Sequence, residues 1–399
     1  MDRSHWMKDL WDQIKVRKPW QILLPGTHNS GIYSALNTVW VRNQDMDIGA
    51  QLNAGIRWFD LRVTKAPPPV LTFHHSGYFP PSSEQAVLGA FEQIHNFAQA
   101  NDHEVFALNL CAGYGSTLRA EDAAELRNTA IDWFQEWLVP ADFWPDCTLE
   151  NIVNAGKRII VLSGLAPDPD PQKAGLMWDN RGGQYSWTTW DGYQSGGKHT
   201  LDERLAFIRN RVSTSLAQRV QARDSRFFCA DCMAYEGAAG TSCAPTVNSH
   251  VGTWIDAWSK DISINFAMNV FSVDFFEQGA DIVGKLLELN QNLPPIPYWA
   301  GPTKSALSPQ PMPSDQGLLE RRELPHFRGD DSFMEQCADK TLAGLELNYD
   351  KYKQEYLTKG SLGEDSMAEL SAKIPSEMVS EYLKWLQAVV VDRNKAQTG

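Results

Sequence analysis

The chain has 399 residues, 43% of them hydrophobic, and a formal net charge of −13. This length can hold one β/α barrel of about 250 residues with an extension, or two to three ordinary domains. The charge argues against general nucleic-acid binding, because phosphate backbones require clustered lysine and arginine, and no apolar run approaches the roughly 20 residues that span a bilayer.

The N-terminal region is organised around a short apolar run that leads to a histidine. Residues 5–14 carry apolar side chains at helical spacing, which predicts a helix at the floor of the fold. The run 21–24 is typical of a buried strand, and Pro25–Gly26 is expected to end it in a turn that presents His28. Catalytic groups of β/α barrels occupy the carboxyl ends of strands, so His28 is the first candidate site residue.

The next two predicted strands present charged and titratable side chains. Alternation along the strand 56–63 places Asp60 and Arg62 on one face, where two charges beside an apolar surface need a partner or a ligand. A further strand over 70–77 ends in a histidine pair. Only one of the two side chains can face the interior.

Helical and strand patterns alternate through the rest of the first 292 residues. The predicted helices are 83–100, 120–138 and 280–289, and the predicted strands are 104–110, 158–162, 227–230 and 267–274. Such alternation is typical of βα units around a parallel sheet. We therefore predict an α/β fold, a distorted (β/α)8 TIM-type barrel over residues 1–292.

The composition changes beyond the predicted barrel. Prolines crowd the segment 293–330, which predicts an extended linker or a strap along the surface. Helical spacing returns over 332–357 and 366–392, so residues 331–399 are predicted to form a helical C-terminal extension. We expect the apolar face of its last helix to pack on the barrel or on another chain, with a lipid-facing amphipathic helix as the alternative.

Three cysteines and a histidine cluster around a glycine-rich loop, at Cys229, Cys232, Cys243 and His250. Their ligand types suit a structural zinc site. Zinc sites usually show a second close ligand pair, which this cluster lacks. We therefore favour a local disulfide and keep zinc as the alternative.

Two histidines at strand ends, with an arginine between them in the sequence, suit acid/base chemistry on a phosphate. One imidazole can accept a proton while the other donates one, since histidine is the side chain that ordinarily exchanges protons near neutral pH. A guanidinium is always charged and can bind two oxygens, so Arg62 can stabilise a phosphoryl group. Hydrogen-bonded structural histidines would also satisfy this pattern.

Three segments resemble the X-domain signature of the bacterial-type phosphatidylinositol-specific phospholipases C: LPGTHNSG at 24–31, QLNAGIRWFDLR at 51–62 and HHSG at 74–77. The resemblance implies a distorted β/α barrel in which the 2-hydroxyl of the substrate attacks phosphorus, giving diacylglycerol and inositol 1,2-cyclic phosphate. It implies His28 as the base on that hydroxyl, His75 as the acid for the leaving oxygen, and Arg62 as the phosphate ligand.

The resemblance continues in later parts of the chain. Segment 270–276 is similar to the family's closing strand, whose aspartate orients the base histidine, so Asp274 takes that role. Segment 190–193 is similar to the part that contacts inositol, which implies that Asp191 binds ring hydroxyls and Tyr193 stacks beneath the ring. Two basic residues expected near the headgroup are not evident, which leaves the exact lipid open.

The need for a metal cofactor can be judged from three residues, Asn29, Asp60 and Arg62. In the calcium-dependent eukaryotic members, an asparagine at the position of Asn29 is a metal ligand. Those members also carry two carboxylates at the positions that Asp60 and Arg62 occupy in this chain. A guanidinium at that position supplies the positive charge of a cation and repels a metal. We therefore place Asn29 and Asp60 in the catalytic set and predict catalysis without a cofactor, with calcium as the alternative.

The leading hypothesis is a phospholipase C that meets its lipid substrate by peripheral contact with a membrane surface, secreted as is the habit of the family. The alternatives are a catalytically silent barrel that binds inositol phosphates or membranes, and a diesterase acting on another phospholipid. The intact set of His28, Arg62, His75 and Asp274 favours the enzyme.

Overall fold

The structure is a computed structural model that describes residues 1–33, 42–66, 70–75, 87–112, 118–190, 199–236, 241–296, 349–359 and 361–373. Within these ranges, no helix has both the length and the hydropathy required to cross a bilayer. Asp191 and Tyr193, most of the proline-rich segment and much of the predicted C-terminal extension lie outside them.

Eleven strands lie in the described residues: β1 Leu24–Thr27, β2 Trp58–Ala66, β3 Val70–Phe73, β4 Phe106–Cys111, β5 Ile159–Ser163, β6 Trp178–Asp179, β7 Ser186–Thr188, β8 Phe227–Asp231, β9 Tyr235–Glu236, β10 Thr241–Ser242 and β11 Val270–Val273. Strands β9 and β10 form a separate antiparallel hairpin. The other nine form the central sheet, in which eight strands are parallel and β3 is an antiparallel branch on β2.

The order of the parallel strands is β6-β5-β4-β2-β1-β11-β8-β7. The strands nearest the two ends of the barrel sequence, β1 and β11, pair in register from Leu24 opposite Val270 to Thr27 opposite Val273, which curls the sheet into a barrel. In the described residues β6 pairs with β5 and β7 pairs with β8. The gap between β6 and β7 is the seam of the barrel. The predicted distorted (β/α)8 barrel is confirmed, in a form open along this seam.

Thirteen helices accompany the strands in the described ranges: α1 Trp6–Asp9, α2 Trp11–Ile14, α3 Ile48–Asn53, α4 Val87–Ala100, α5 Ala120–Phe134, α6 Leu149–Asn154, α7 Pro171–Ala174, α8 Leu201–Ala222, α9 Ala244–Trp258, α10 Ile262–Ala267, α11 Ile282–Gln291, α12 Tyr349–Lys359 and α13 Glu364–Lys373. The single helix predicted over 5–14 is thus two short ones. The last two helices fall inside the segment predicted to form the C-terminal extension.

The prediction that Pro25–Gly26 ends a strand in a turn is wrong, because both residues lie inside β1. The Pro25 carbonyl accepts a hydrogen bond from the Arg57 N–H (2.9 Å), and pairing with β2 begins only at Gly26 opposite Trp58, where an N–H is again available. A Cβ at Gly26 would lie 3.0 Å from Val270 Cγ1 and 3.1 Å from the Trp58 ring. Gly26 therefore allows β1 to pack closely against β2 and β11.

Strand β3 is present as predicted, but it is not one of the parallel barrel strands. It returns antiparallel along β2, with Val63 opposite Phe73, and the His74 N–H donates to the Arg62 carbonyl (3.0 Å). Because β3 runs back along β2, its last residues come alongside the middle of β2. His75 is thereby delivered close to Arg62.

The predicted local disulfide is also wrong, since no disulfide joins Cys229, Cys232 and Cys243. Cys229 lies in β8 and Cys232 directly after it, and both are buried. Burial raises the pKa of both thiols, first and foremost by removing water from the thiolate. They act as small apolar residues. His250 lies in α9 against Trp254, and the described residues hold no cluster of three or more metal-ligating side chains.

Helix α3 secures the loop that carries His28, and Asp47 caps that helix. The Asp47 carboxylate accepts from the Ala50 N–H (2.7 Å), while the Gln51 amide donates to the Ser30 carbonyl (2.9 Å).

Asp47→Ala is expected to lower the free energy of unfolding by about 1 kcal/mol, measured by urea denaturation. Asp132→Ala, at an exposed position of α5, should change it by less than about 0.5 kcal/mol. Equal effects of the two substitutions would contradict the capping role.

Candidate active site

His28 and Asp274 meet because each directly follows one of two paired strands, β1 and β11. His28 Nδ1 lies 2.9 Å from Asp274 Oδ1, and the two residues are 1% and 2% exposed. Since a carboxylate oxygen only accepts, this contact assigns the ring proton to Nδ1. His28 Nε2 then keeps its lone pair, and it is buried without a hydrogen-bond partner among the described residues.

The loop after β1 is held on several sides. The Gln44 amide donates to the carbonyls of His28 (2.9 Å) and Val273 (3.0 Å), which ties the loop to the end of β11. Asn29 adopts a left-handed backbone conformation (φ 44°), which asparagine tolerates better than most residues. A Cβ at Gly31 would lie only 2.2 Å from the Phe73 ring, so glycine is required for the loop to pack on β3.

His75 faces His28 across the site. The two ring centroids are 6.2 Å apart, with the ring planes at 88°. Trp190 lies nearly parallel to the His28 ring at 5.8 Å. The neighbouring His74 is fully buried, its Nε2 lies 2.6 Å from the Ala112 carbonyl, and burial lowers its pKa. Of the histidine pair, His75 is therefore the one available to the site.

Asp60 and Arg62 lie together on one face of β2. Arg62 Nη2 is 2.8 Å from Asp60 Oδ2, which also accepts from the Asn29 N–H (3.2 Å). Burial alone would raise the pKa of Asp60, but the Arg62 guanidinium and the His28 ring hold that pKa below its usual value. Burial likewise opposes the charge of Arg62, yet Asp60 and other negative neighbours raise the pKa of its guanidinium. The site therefore contains a permanently charged cation.

Three further residues of the site carry no sequence motif. The Tyr235 hydroxyl lies 3.4 Å from His28 Nδ1 and 3.1 Å from Asn43 Nδ2. Asp231 is the last residue of β8, and one of its carboxylate oxygens accepts from the Trp190 N–H (3.2 Å). A carboxylate at the end of a barrel strand is a signal that could have identified Asp231. Asn43 lies in a connecting segment and Tyr235 in the two-residue strand β9, and the sequence gives no such signal for either of them.

Asp231 makes the stability of the barrel depend on pH. Burial, and then the negative charge of Asp60, raise its pKa from 3.8 to about 7, against a smaller opposing effect of Arg62. Between these values the folded chain binds more protons than the unfolded chain, so stability falls as the pH rises through this window.

Asp231→Asn is expected to remove this dependence and to stabilise the protein by on the order of 1–4 kcal/mol at about pH 8. Urea denaturation at about pH 5 and about pH 8 measures the effect. The exposed Asp102→Asn serves as the control and should follow the wild-type pH dependence. If Asp231→Asn followed it too, the buried carboxyl would not be its source.

The residues around Asn29 do not fit a calcium ion. Asn29 Oδ1 is buried without a hydrogen-bond partner in the described residues, as a ligand oxygen could be. Asp60 Oδ2, however, is held by the Arg62 guanidinium, and a cation bound there would face that charge directly. Calcium takes six to eight oxygen ligands, whereas Asn29 and Asp60 offer few.

Comparison with known proteins finds similarity to one family. The PI-PLC X family model (PI-PLC X 1) matches residues 16–179, which include His28, Asn29, Asp60, Arg62 and His75. A PI-PLC X-box domain-containing protein of Dictyostelium discoideum is 23% identical over 247 residues, which is 53% of this chain and 31% of that protein. A 1-phosphatidylinositol phosphodiesterase of Staphylococcus aureus is 31% identical over 75 residues, which is 18% of this chain and 23% of that enzyme. These alignments span less than a third of either relative.

A solved structure extends the likeness to the whole barrel. A variant of the phosphatidylinositol-specific phospholipase C from Staphylococcus aureus superposes with a TM-score of 0.54 and 17% identity, covering 73% of this chain and 96% of that chain. At this identity the match concerns the fold. The barrel fold predicted from the sequence is therefore shared with a bacterial phospholipase C.

Proposed function

We propose that the protein is a phospholipase C that cleaves phosphatidylinositol or a related inositol phospholipid to diacylglycerol and inositol 1,2-cyclic phosphate, because the PI-PLC X family model matches residues 16–179. The observation that carries the proposal is the buried His28–Asp274 pair. The His28 ring lies 6.2 Å from the His75 ring, centroid to centroid, and the charged Arg62 belongs to the same site. Buried polar side-chain atoms usually have a hydrogen-bond partner, so the unpartnered Nε2 within the described residues distinguishes His28 from a histidine with a purely structural role.

The first half of the reaction is removal of a proton from the substrate. His28 Nε2 accepts the proton of the inositol 2-hydroxyl as that oxygen forms a bond to phosphorus. The imidazolium so formed is stabilised by Asp274, which is already hydrogen-bonded to Nδ1 (2.9 Å). The hydroxyl and the phosphate belong to one molecule, so no second nucleophile has to be bound.

Arg62 stabilises the negative charge that gathers on the phosphoryl oxygens. Its guanidinium is oriented by Asp60, which leaves other N–H groups for the phosphate. The fixed positive charge would do the electrostatic work that a calcium ion does elsewhere, so we propose a reaction without a metal cofactor.

The second half of the reaction is departure of diacylglycerol. His75 donates a proton to the lipid oxygen as its bond to phosphorus breaks, and the cyclic phosphodiester remains. His28 then carries one extra proton and His75 lacks one, and exchange with water restores both. The two rings are perpendicular, with centroids 6.2 Å apart. In this proposal each histidine acts on a different oxygen bonded to the phosphorus.

The substrate resides in a membrane, so the proposed enzyme works at a lipid surface. The described helices offer no membrane-spanning segment, which is compatible with peripheral contact. Asp191 and Tyr193, which follow Trp190 in the sequence, remain the proposed inositol contacts. Secretion, the habit of bacterial relatives, is part of the same proposal.

A panel of lipids tests the proposed function. Vesicles of phosphatidylinositol, phosphatidylcholine or sphingomyelin are incubated with the protein in EDTA and, in parallel, with calcium. Release of diacylglycerol from phosphatidylinositol alone, at equal rates in EDTA and calcium, is expected. Cleavage only of another lipid would assign a different diesterase, activity only with calcium would overturn the metal-free reaction, and binding without cleavage would indicate a silent barrel.

A further inference from the structure

Asn43 lies in the segment between β1 and α3, at the point where this segment crosses the end of β11. It is 1% exposed. Its N–H donates to the Ile32 carbonyl (3.0 Å), and its carbonyl accepts from the Phe275 N–H (2.8 Å). The backbone on either side of the Asn43 side chain is therefore fixed by bonds that do not involve its amide.

The Asn43 amide group joins two parts of the site. Its Oδ1 accepts from Asn29 Nδ2 (3.2 Å), and its Nδ2 donates to Asp274 Oδ1 (3.1 Å) and to the Tyr235 hydroxyl (3.1 Å). Asp274 Oδ1 thus lies between two donors, the Asn43 amide and the His28 Nδ1–H. An amide has distinct donor and acceptor ends, so these contacts define one orientation of Asn43.

We propose that Asn29 and Asn43 form an amide relay that holds Asp274 and His28 in the arrangement in which His28 Nε2 is the free base. Asn43 fixes the carboxylate oxygen that receives the Nδ1 proton, and Asn29 fixes the orientation of Asn43. Both are positioning residues, since they act through Asp274. The kinetic part of this inference rests on the proposed function; the spectroscopic part below does not.

The relay gives a reason for asparagine beside the base histidine. An aspartate at position 29 would place an acceptor against Asn43 Oδ1, and the Asn43 amide would rotate to donate to it. That rotation would present Oδ1 to Asp274 Oδ1, so two acceptors would face each other. Residues 29 and 43 are therefore coupled, and asparagine at position 29 is explained without a metal.

Kinetics of single and double variants test the coupling. Asn43→Ala and Asn29→Asp are each expected to lower kcat on phosphatidylinositol by about 10- to 100-fold, with KM changed by less than about twofold, because a misplaced base slows chemistry and leaves binding intact. The double variant should be no slower than Asn43→Ala. Multiplicative losses, or Asn43→Ala at wild-type kcat, would overturn the relay.

A matched control separates positioning from folding. Asn290 is another fully buried asparagine, whose amide bonds the Leu23 backbone at distances of 2.9 and 2.7 Å, outside the site. Asn290→Ala should lower thermal stability and leave the kcat of the folded protein unchanged. Should Asn43→Ala fail to fold, Asn43→Ser and Asn29→Asp carry the same comparison.

Proton NMR gives a readout that needs no turnover. The Nδ1 proton shared by His28 and Asp274 should give a far-downfield resonance, identified by its loss in His28→Ala. Asn43→Ala and Asn29→Asp should shift or broaden this resonance, and Asn290→Ala should not. An unchanged resonance in both relay variants would overturn the inference, even if the protein cleaves phosphatidylinositol. A shifted or broadened resonance would support the inference, even if the protein does not cleave this lipid.

Discussion

His28→Ala is expected to lower kcat for phosphatidylinositol cleavage by about 10²- to 10⁴-fold, because the reaction loses the group that removes the hydroxyl proton. The side chain is buried and its Nε2 makes no hydrogen bond in the described residues. Its removal breaks the Nδ1 contacts with Asp274 and the Tyr235 hydroxyl and the ring contact with Trp190. Initial rates on phosphatidylinositol vesicles in EDTA measure the effect, with the folded state checked by circular dichroism.

His95→Ala is the matched control for this loss. His95 lies in α4 and packs against the rings of Trp133 and Trp137, away from the site residues. This substitution should leave kcat within about twofold of wild type. If His28→Ala also kept its rate within about tenfold, proton transfer by His28 would not be the basis of the activity.

Arg62→Lys is expected to lower kcat by about 10³-fold although the positive charge is retained. A lysine offers a single ammonium group, which cannot hold Asp60 and two phosphoryl oxygens in one plane as the guanidinium does. The loss should appear in kcat more than in KM, since the charge on the phosphoryl oxygens is greatest in the transition state.

Arg181→Lys provides the control, because Arg181 pairs with Asp179 at 2.8 Å across the same two-residue spacing as Arg62 and Asp60. Arg181 is exposed, so its replacement should leave the rate unchanged. Equal rates for Arg62→Lys and wild type would show that a diffuse positive charge suffices, and the proposed bidentate phosphate contact would be abandoned.

The barrel could be predicted from the sequence because its strands and helices alternate as local patterns. The meeting of His28 and Asp274 follows from the pairing of β1 with β11, which joins segments 246 positions apart. No local pattern specifies that pairing. It was anticipated only through the resemblance to a known family.

Local rules failed where tertiary packing decided the outcome. Pro25 and Gly26 are turn formers in isolation, yet they lie within β1, where neighbouring strands approach too closely for a larger residue at position 26. Similarly, β3 has the pattern of a barrel strand, but it pairs antiparallel with β2.

Helix α8 was not predicted because its inward face is partly polar. Arg204 and Arg219 are buried there, and Arg219 donates to the carbonyls of Trp20 (3.0 Å), Arg226 (2.8 Å) and Ala267 (2.9 Å). These arginines interrupt the apolar periodicity by which a helix is normally identified. The Arg204 guanidinium also donates to the Tyr235 carbonyl (2.5 Å), so this helix supports a residue of the site.

The second layer of the site was beyond sequence reasoning for a different reason. Asn43 and Tyr235 contact Asp274 and His28 from segments far apart in the chain. Asn43 lies outside the helices and strands, Tyr235 lies in a strand of only two residues, and neither belongs to a recognised motif. Their contribution depends on hydrogen-bond geometry, which only the folded arrangement defines.

Phosphorus NMR of phosphatidylinositol vesicles incubated with the protein in EDTA tests the central proposal most directly. We expect the phosphodiester resonance of the lipid to be replaced by that of inositol 1,2-cyclic phosphate, and no such replacement with His28→Ala. Failure of the cyclic phosphate to form, with or without added calcium, would contradict the proposed reaction.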